Sequence, residues 1–181
     1  MKKVFLTREL PPKAMEKLRA HVDLEMNIED RVLRKDEIIE GVKGKDGLLC
    51  LLTDDIDADV MDANPDLKII ANYAVGFNNI DIEAATKRGI LVTNTPGVLT
   101  DTSADTAFSL ILATARRIVE ADSFARTGRW MGWGPLQYLG KDVWGATLGI
   151  IGLGRIGKEV VHRSKGFKMK TVYWNRTRLS A

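Results

Sequence analysis

Residues 147–157 read TLGIIGLGRIG, a short apolar strand that runs into the glycine pattern G-x-G-x-x-G. A helix-like segment follows, so the pattern lies between a predicted strand and a predicted helix, as it does in dinucleotide-binding turns. The free N–H groups and the positive dipole end of such a helix bind a pyrophosphate. We therefore predict cofactor contacts from Gly152, which makes the turn, Leu153, Gly154, which admits the pyrophosphate, Arg155, Ile156 and Gly157, which lets the helix approach the strand.

The next predicted strand, Met169–Trp174, is followed by Asn175-Arg176-Thr177-Arg178. An NAD site usually has Asp or Glu at this point, where the carboxylate hydrogen-bonds the ribose hydroxyls. The chain has no acidic residue after Glu159, and guanidinium groups match the geometry of phosphate. The segment predicts NADP(H) in preference to NAD(H), with Asn175, Arg176 and Thr177 as contacts. The alternative is that these arginines are solvated loop residues and that the cofactor preference is loose.

Charge is distributed unevenly along the chain. Residues 1–99 carry 14 Lys and Arg against 18 Asp and Glu, whereas residues 100–181 carry 13 against 6. A basic half suits nucleic acid, a membrane surface or a phosphate-bearing small molecule. The basic residues are scattered and form no nucleic-acid motif, so a phosphorylated cofactor is favoured and no nucleic-acid partner is expected.

The composition excludes several other classes of protein. No apolar run approaches the roughly 18 residues that cross a bilayer, and the first apolar stretch is too short for a signal peptide. A cytoplasmic protein without a membrane partner is the expectation. The single cysteine, Cys50, excludes an internal disulfide and a multi-cysteine metal site, and its apolar neighbours predict burial. No metal site is predicted.

The first 99 residues alternate short apolar runs with helix-like segments, the pattern of a parallel sheet covered by helices on both faces. The predicted strands are Lys3–Thr7, Val22–Met26, Gly47–Leu52, Leu67–Ala71 and Ile90–Thr93. The predicted helices are Pro11–Ala20, Lys35–Gly41, Asp57–Asn64 and Asp81–Arg88. Five strands with four crossovers predict a flavodoxin-like α/β unit.

A domain boundary is predicted where the turn residues Asn94-Thr95-Pro96-Gly97 interrupt this alternation. The first domain then covers residues 1–99, and residues 100–181 form the first part of a Rossmann domain. A long helix begins the second domain, because apolar residues recur with helical spacing from Ala104 to Val119.

The ends of this helix are also predicted from the sequence. Thr100 or Asp101 can cap it, and Asp105 is expected in its first turn, where a negative charge meets the helix dipole favourably. The following stretch, Ala121–Trp144, is rich in Gly and Trp. It predicts a loop whose aromatic side chains pack on another surface.

Three ordered motifs carry a resemblance to a known family. They are ANYAVGFNNID at residues 71–81, RGILVTNTPGVLTD at 88–101 and GIIGLGRIG at 149–157. On these motifs the chain resembles the D-2-hydroxyacid dehydrogenases, most closely the glyoxylate and hydroxypyruvate reductases, over nearly its whole length. The resemblance implies an NAD(P)-dependent oxidoreductase. Residues 1–99 would be its substrate domain, without the C-terminal helix of that domain, and residues 100–181 an incomplete NAD(P)-binding Rossmann domain.

The resemblance also implies a substrate site and a partner subunit. The Val75-Gly76 turn would present backbone N–H groups to the carboxylate of a small 2-keto or 2-hydroxy acid, in the cleft between the domains, and Leu52 would line the same cleft. A glycine suits this role because no side chain obstructs the backbone donors. The long helix and the following arm would pack in a homodimer. In that dimer Trp130 and Trp133 would contact the second subunit, and Trp133 is a candidate to reach the substrate pocket of that subunit.

Reduction of a keto acid also needs a proton donor and an orienting cation. The resemblance implies that Arg, Glu and His supply these from segments after the second Rossmann strand. His21 and His162 lie elsewhere and are interpreted as structural or solvated, so no catalytic residue is assigned in this chain and all three are expected downstream of Ala181. A half-built Rossmann sheet leaves an open edge. We therefore expect a truncation, or the ordered part of a longer chain, that is inactive alone.

Three functional hypotheses remain at this point. The first is NADPH-dependent reduction of glyoxylate or hydroxypyruvate to the D-2-hydroxy acid. The second is another activity of the same family, of the phosphoglycerate, D-lactate or 2-ketogluconate type. The third is a non-catalytic protein that senses dinucleotides or binds other proteins, against which the complete substrate-turn motif argues.

Overall fold

A computed structural model describes residues 1–178 of the 181-residue chain. Contacts within the chain define two compact units, the first covering Met1–Val98 and the second beginning at Leu99. No helix in the described part is long and apolar enough to cross a bilayer. Each unit is an α/β structure with its own sheet and its own apolar core.

The first unit contains a five-stranded parallel sheet in the order β2-β1-β3-β4-β5. Its strands are β1 (Lys2–Leu6), β2 (Val22–Met26), β3 (Gly47–Leu51), β4 (Ile69–Tyr73) and β5 (Leu91–Thr93). The helices between them are α1 (Pro12–His21), α2 (Lys35–Val42), α3 (Ala58–Asp62) and α4 (Ile82–Lys87). This is the flavodoxin-like strand order, so the predicted fold class is confirmed.

Two cores cover the two faces of this sheet. Successive side chains of a strand point to opposite faces, and β3 shows the result directly. Leu48 and Cys50 join the core formed with α2, α3 and α4, whereas Leu49 and Leu51 pack on the smaller core around Met15 of α1. Because both faces are covered, the central strand β3 reads as a continuous apolar run, GLLCL, whereas the edge strand β2 alternates as VDLEM.

The second unit contains α5 (Thr100–Ala115), α6 (Ile118–Arg126), β6 (Thr147–Ile151), α7 (Arg155–Ser164) and β7 (Lys170–Trp174). β6 and β7 pair in parallel, with Thr147 opposite Lys170 and Ile151 opposite Trp174. The helices α5 and α7 pack through a small core whose buried members are Ala104, Phe108, Leu148 and Val160. This strand–helix–strand unit is the predicted first part of a Rossmann fold.

Two expectations about the long helix were wrong. The side chains of Thr100 and Asp101 do not cap it; the N-cap is Leu99 and makes no side-chain cap bond. Asp105 lies beyond the first turn, where Arg163 of α7 donates to it at 2.6 Å. Asp105 therefore contacts a basic residue of a neighbouring helix and not the N-terminal turn of its own helix.

The long helix also ends earlier than predicted, at Ala115 instead of Val119. Arg117 has a left-handed backbone (φ 54°), and a second helix, α6, covers the first residues of the stretch predicted as a Gly- and Trp-rich loop. The reason is a tertiary contact, because the Lys141 N–H donates to the Ala115 carbonyl at 2.8 Å. That contact satisfies a carbonyl at the helix end, which the apolar periodicity does not reveal.

Gly140 makes this contact possible and gives a first prediction. A Cβ atom at residue 140 would lie 2.4 Å from the Ala115 carbonyl oxygen, so Gly140→Ala is expected to destabilise the second unit by about 2 kcal/mol. Urea unfolding of each variant is monitored by tryptophan fluorescence. Gly134→Ala is the control, because its Cβ would meet nothing closer than 3.6 Å. Equal unfolding midpoints for the two variants would contradict the prediction.

Candidate functional site

The first candidate site is the turn after β4, which contains Val75 and Gly76. Both residues are exposed, as is Leu52, which follows β3 at the same carboxyl edge of the parallel sheet. A Cβ atom at Gly76 would lie 3.7 Å from Leu52 Cδ1 and 3.3 Å from Asn78 Oδ1. The structure thus brings the three predicted substrate-site residues together, with Leu52 and Asn78 packed closely around the glycine.

Hydrogen bonds hold the three carbonyl groups of this turn. The Ala74 oxygen accepts from the Thr95 N–H at 2.8 Å, and the Val75 oxygen accepts from Asn94 Nδ2 at 2.8 Å. The Gly76 oxygen accepts from Asn72 Nδ2 at 2.9 Å. Asn72 lies near the end of β4 and Asn94 just after β5, a placement that apolar periodicity does not mark as functional.

These bonds determine where the N–H groups of the turn point. In a trans peptide the C=O and the following N–H point in opposite directions. Because the carbonyls of residues 74–76 face protein donors, the N–H groups of Val75, Gly76 and Phe77 face away from them. No acceptor for these N–H groups is present among residues 1–178. Exposed N–H groups of this kind bind an anion such as a carboxylate.

A buried polar cluster lies beneath the turn. Asp54 is buried, and its carboxylate accepts from Thr7 Oγ1 at 2.5 Å and from the Leu51 N–H at 2.8 Å. Burial, with a smaller effect from the charge of Asp54, raises the pKa of the Cys50 thiol to about 12. The predicted burial of Cys50 is confirmed, and the thiol stays protonated at neutral pH.

The raised pKa of Cys50 predicts a pH dependence of stability. In the unfolded chain a thiol ionises near pH 8.5, whereas in the folded chain its pKa is about 12. Between these values the unfolded state binds fewer protons, so the free energy of unfolding falls as pH rises. From pH 8 to 10.5 the free energy of unfolding of the wild-type chain should fall by about 2 kcal/mol more than that of Cys50→Ala, as measured by urea unfolding. Parallel pH dependences would contradict this.

The second candidate site is the glycine turn between β6 and α7. Gly152 has φ 93°, a left-handed conformation that favours glycine. Gly154 is the N-cap of α7, which has no side-chain cap, and a Cβ there would meet no atom within 4 Å. A Cβ at Gly157 would lie 2.6 Å from the Gly152 oxygen. These positions match the geometry expected of the three glycines.

The residues around these glycines shape the same turn. Arg155 and Ile156 form the exposed first turn of α7. The Leu153 N–H donates to Asn175 Oδ1, just after β7, at 2.7 Å. Asn175 therefore supports the glycine turn directly, a contact that the sequence did not reveal.

Positive charge surrounds the end of β7. Arg176 and Thr177 follow Asn175 and are exposed. Within residues 1–178, no carboxylate lies within ion-pairing distance of Arg176. By contrast, the guanidinium group of Arg163 forms ion pairs with the carboxylates of Asp101, Asp105 and Glu159. Arg176 can thus meet an anionic ligand without losing a protein partner.

Neither turn contains His21, His162 or Trp133. His21 ends α1, where its Nδ1 lies 2.8 Å from the Lys17 carbonyl oxygen, and His162 is exposed in the last turn of α7. Trp133 is 86% exposed in an irregular segment after α6. No group of three or more His, Cys, Asp or Glu in the described residues could hold a metal ion.

Comparison with known proteins finds relatives along almost the whole chain. The sequence profile described as D-isomer specific 2-hydroxyacid dehydrogenase, catalytic domain, matches residues 4–172. Curated relatives include the glyoxylate reductase of Thermococcus gammatolerans, 51% identical over 180 residues, and that of Korarchaeum cryptofilum, 52% identical over 177. These alignments cover 97% of this chain but 54% and 53% of the relatives. The chain therefore spans about half the length of the curated relatives it matches.

Solved structures have the same fold. A protein from Thermus thermophilus, 46% identical, superposes with a TM-score of 0.92 over 99% of this chain and 58% of its own. An NADPH-dependent glyoxylate/hydroxypyruvate reductase from Sinorhizobium meliloti, solved in complex with citrate, is 32% identical. It superposes with a TM-score of 0.80 over 100% of this chain and 56% of its own.

Proposed function

Because this chain belongs to the D-isomer specific 2-hydroxyacid dehydrogenase family, we propose that it supplies the carboxylate site and the cofactor site of an NADPH-dependent 2-keto acid reductase. The observation that carries the proposal is the pair of turns with unpartnered backbone N–H groups, one in each unit. The turn at Val75-Gly76 binds the substrate carboxylate, and the turn at Gly152–Gly157 binds the cofactor pyrophosphate.

The carboxylate assignment rests on donor chemistry. Backbone N–H groups stabilise an anion without the flexibility of a lysine or arginine side chain, and Gly76 has no side chain that could obstruct them. Leu52 lies close to the glycine, which suits a small acid such as glyoxylate or hydroxypyruvate. Relatives named glyoxylate reductase support the same substrate class.

The residues of the second turn fit a dinucleotide. The start of α7 has no side-chain cap, so its N–H groups and dipole remain available for a pyrophosphate. When bound, the reduced nicotinamide supplies the hydride that reduces the keto carbon. This chain's own contribution is to bind and orient the pyrophosphate and the ribose. The resemblance to the family implies that Arg, Glu and His residues supply the proton donor and the orienting cation.

The cofactor preference follows from charge. Asn175 is neutral and Arg176 is exposed just beyond it, so a ribose 2′-phosphate would meet a cation and no carboxylate. NADP(H) is therefore preferred over NAD(H). The NADPH-dependent reductase from Sinorhizobium meliloti, which shares the fold, supports this preference.

The segment after α6 supports the proposal of a homodimer. Its apolar side chains include Trp130, Met131, Trp133 and Leu136, all exposed. An exposed apolar group of this kind marks a surface that another protein covers. In the proposed dimer Trp133 contacts the second copy, and sedimentation analysis of Trp133→Ala should then show a larger monomer fraction.

The experiment that tests the proposed function compares the two cofactors. The wild-type chain is titrated with NADPH and with NADH by nicotinamide fluorescence, and NADPH should bind at least tenfold more tightly. Arg176→Ala should remove most of that difference, because it takes away the cation beside the 2′-phosphate. Arg126→Ala, which changes an exposed arginine of α6, is the control and should bind both cofactors as wild type does. Equal wild-type affinities would contradict NADPH preference.

A further inference from the structure

Two asparagine amides lie beneath the proposed carboxylate turn. Asn72 is in β4 and only 3% exposed. Its Nδ2 donates to the Gly76 carbonyl at 2.9 Å and to Asn79 Oδ1 at 3.0 Å. The Asn79 amide is itself held, because its Nδ2 donates to the carbonyls of Leu51 at 3.1 Å and Asp54 at 3.0 Å. The Gly76 carbonyl is thus tied to the buried interior through two amides.

The Cys50 thiol favours the same orientation of the Asn72 amide as the Gly76 carbonyl does, although the Ala71 carbonyl at 3.8 Å is a second acceptor for the thiol. Cys50 is the register partner of Asn72 between β3 and β4, and its Sγ donates to Asn72 Oδ1 at 3.5 Å. A protonated thiol can donate to an oxygen but offers little to an NH2 group. The amide oxygen faces Cys50 and also accepts from Asn79 Nδ2 at 3.5 Å, and the NH2 group faces the Gly76 carbonyl and Asn79 Oδ1.

The consequence concerns the next N–H along the chain. The Gly76 carbonyl and the Phe77 N–H belong to one peptide group, so fixing the carbonyl inward directs the N–H outward. Phe77 is exposed, and its N–H has no acceptor among residues 1–178. We propose that Asn72, held by Asn79, is a positioning residue that adds the Phe77 N–H as a third donor to the substrate carboxylate. This rests on the proposed function, in which Val75 and Gly76 supply the other two.

The chain provides a matched control for Asn72. Asn64 is also buried, at 5% exposure, and its Nδ2 also donates to two acceptors, the carbonyls of Val42 at 2.8 Å and Lys45 at 2.7 Å. These partners lie just before the amino end of β3, at the sheet edge opposite to the turn. Loss of the Asn64 amide should destabilise the first unit without changing the conformation of the turn at Val75, Gly76 and Phe77.

The first test uses the unmodified 181-residue chain, labelled with 15N and titrated with oxalate. We expect the amide resonances of Val75, Gly76 and Phe77 to shift with a single dissociation constant. A silent Phe77 amide beside shifting Val75 and Gly76 amides would overturn the role of Asn72 while leaving the carboxylate site in place. If none of the three amides shifts, the carboxylate site fails as well.

The second test compares Asn72→Ala with Asn64→Ala. Asn72→Ala should weaken oxalate binding at least fivefold and reduce the Phe77 shift more than the Val75 shift. Asn64→Ala should bind oxalate within twofold of wild type, although urea unfolding shows that it is destabilised too. Equal weakening in both variants would assign Asn72 a purely structural role and overturn the proposal. Should Asn72→Ala fail to fold, Asn79→Ala replaces it, because that variant removes the amide that holds Asn72; a Phe77 shift equal to that of the wild type would then overturn the proposal.

Discussion

Replacing Gly157 with alanine is expected to weaken NADPH binding at least tenfold and to destabilise the second unit. The new Cβ would lie 2.6 Å from the Gly152 oxygen and 3.5 Å from Ile150 Cγ2. The closer neighbour is a backbone atom of the glycine turn, so α7 must shift away from β6. Overpacking of this kind costs about 1–3 kcal/mol, and the shift displaces the helix start that holds the pyrophosphate.

Two other glycines separate the effect on stability from the effect on binding. Gly166→Ala should change neither, because its Cβ meets nothing within 4 Å and the residue lies away from the turn. Gly154→Ala also meets no protein atom, so it should fold as wild type does yet bind NADPH poorly, since the methyl group occupies the proposed cofactor space. Urea unfolding and fluorescence titration measure the two effects. Wild-type NADPH affinity in Gly157→Ala would disprove the assignment of the turn.

The second large effect is expected for Asn175→Asp. An aspartate can still accept the Leu153 N–H, which lies 2.7 Å from Asn175 Oδ1, so the glycine turn should keep its shape. The new negative charge would repel the 2′-phosphate by about 2 kcal/mol, roughly thirtyfold in affinity. NADH has no 2′-phosphate, and its ribose hydroxyls can donate to the carboxylate. NADPH binding should therefore fall about thirtyfold while NADH binding is kept or improved.

Asn175→Ala is the matched variant for this prediction. It removes the acceptor of the Leu153 N–H without adding charge, so both cofactors should lose affinity to a similar extent. Fluorescence titration of each variant with each cofactor gives the comparison. If Asn175→Asp lowered the affinity for NADH as much as that for NADPH, residue 175 would act only through the shape of the turn and not through charge.

Much of the fold could be predicted from apolar periodicity and turn residues. The strands β2 and β6 begin and end at the predicted residues, Val22–Met26 and Thr147–Ile151. The strand β4 was predicted at Leu67–Ala71 but lies two residues later, at Ile69–Tyr73. The Leu67 N–H instead bonds back to the Asn64 carbonyl at 3.0 Å, so Leu67 belongs to the preceding turn although its side chain is buried.

What the sequence could not reveal depends on contacts between distant residues. The break after Ala115 needs Gly140 and Lys141, about 25 residues later in the chain, to reach the helix end. The hydrogen bond to the Gly76 carbonyl depends on which way the side-chain amide of Asn72 in β4 faces. Hydrophobic periodicity reports which face of an element is buried, but it carries no information about which polar atoms meet there.

The binding of NADPH to the glycine turn and to the end of β7 is tested by mapping where the cofactor contacts the chain. The 15N-labelled chain is titrated with NADPH, and amide shifts are followed residue by residue. We expect the largest shifts at residues 152–157 and 175–177, and smaller shifts at residues 175–177 when NADH is added at the same concentration. Shifts confined to other parts of the chain, or the same pattern and affinity with NADH, would contradict this expectation.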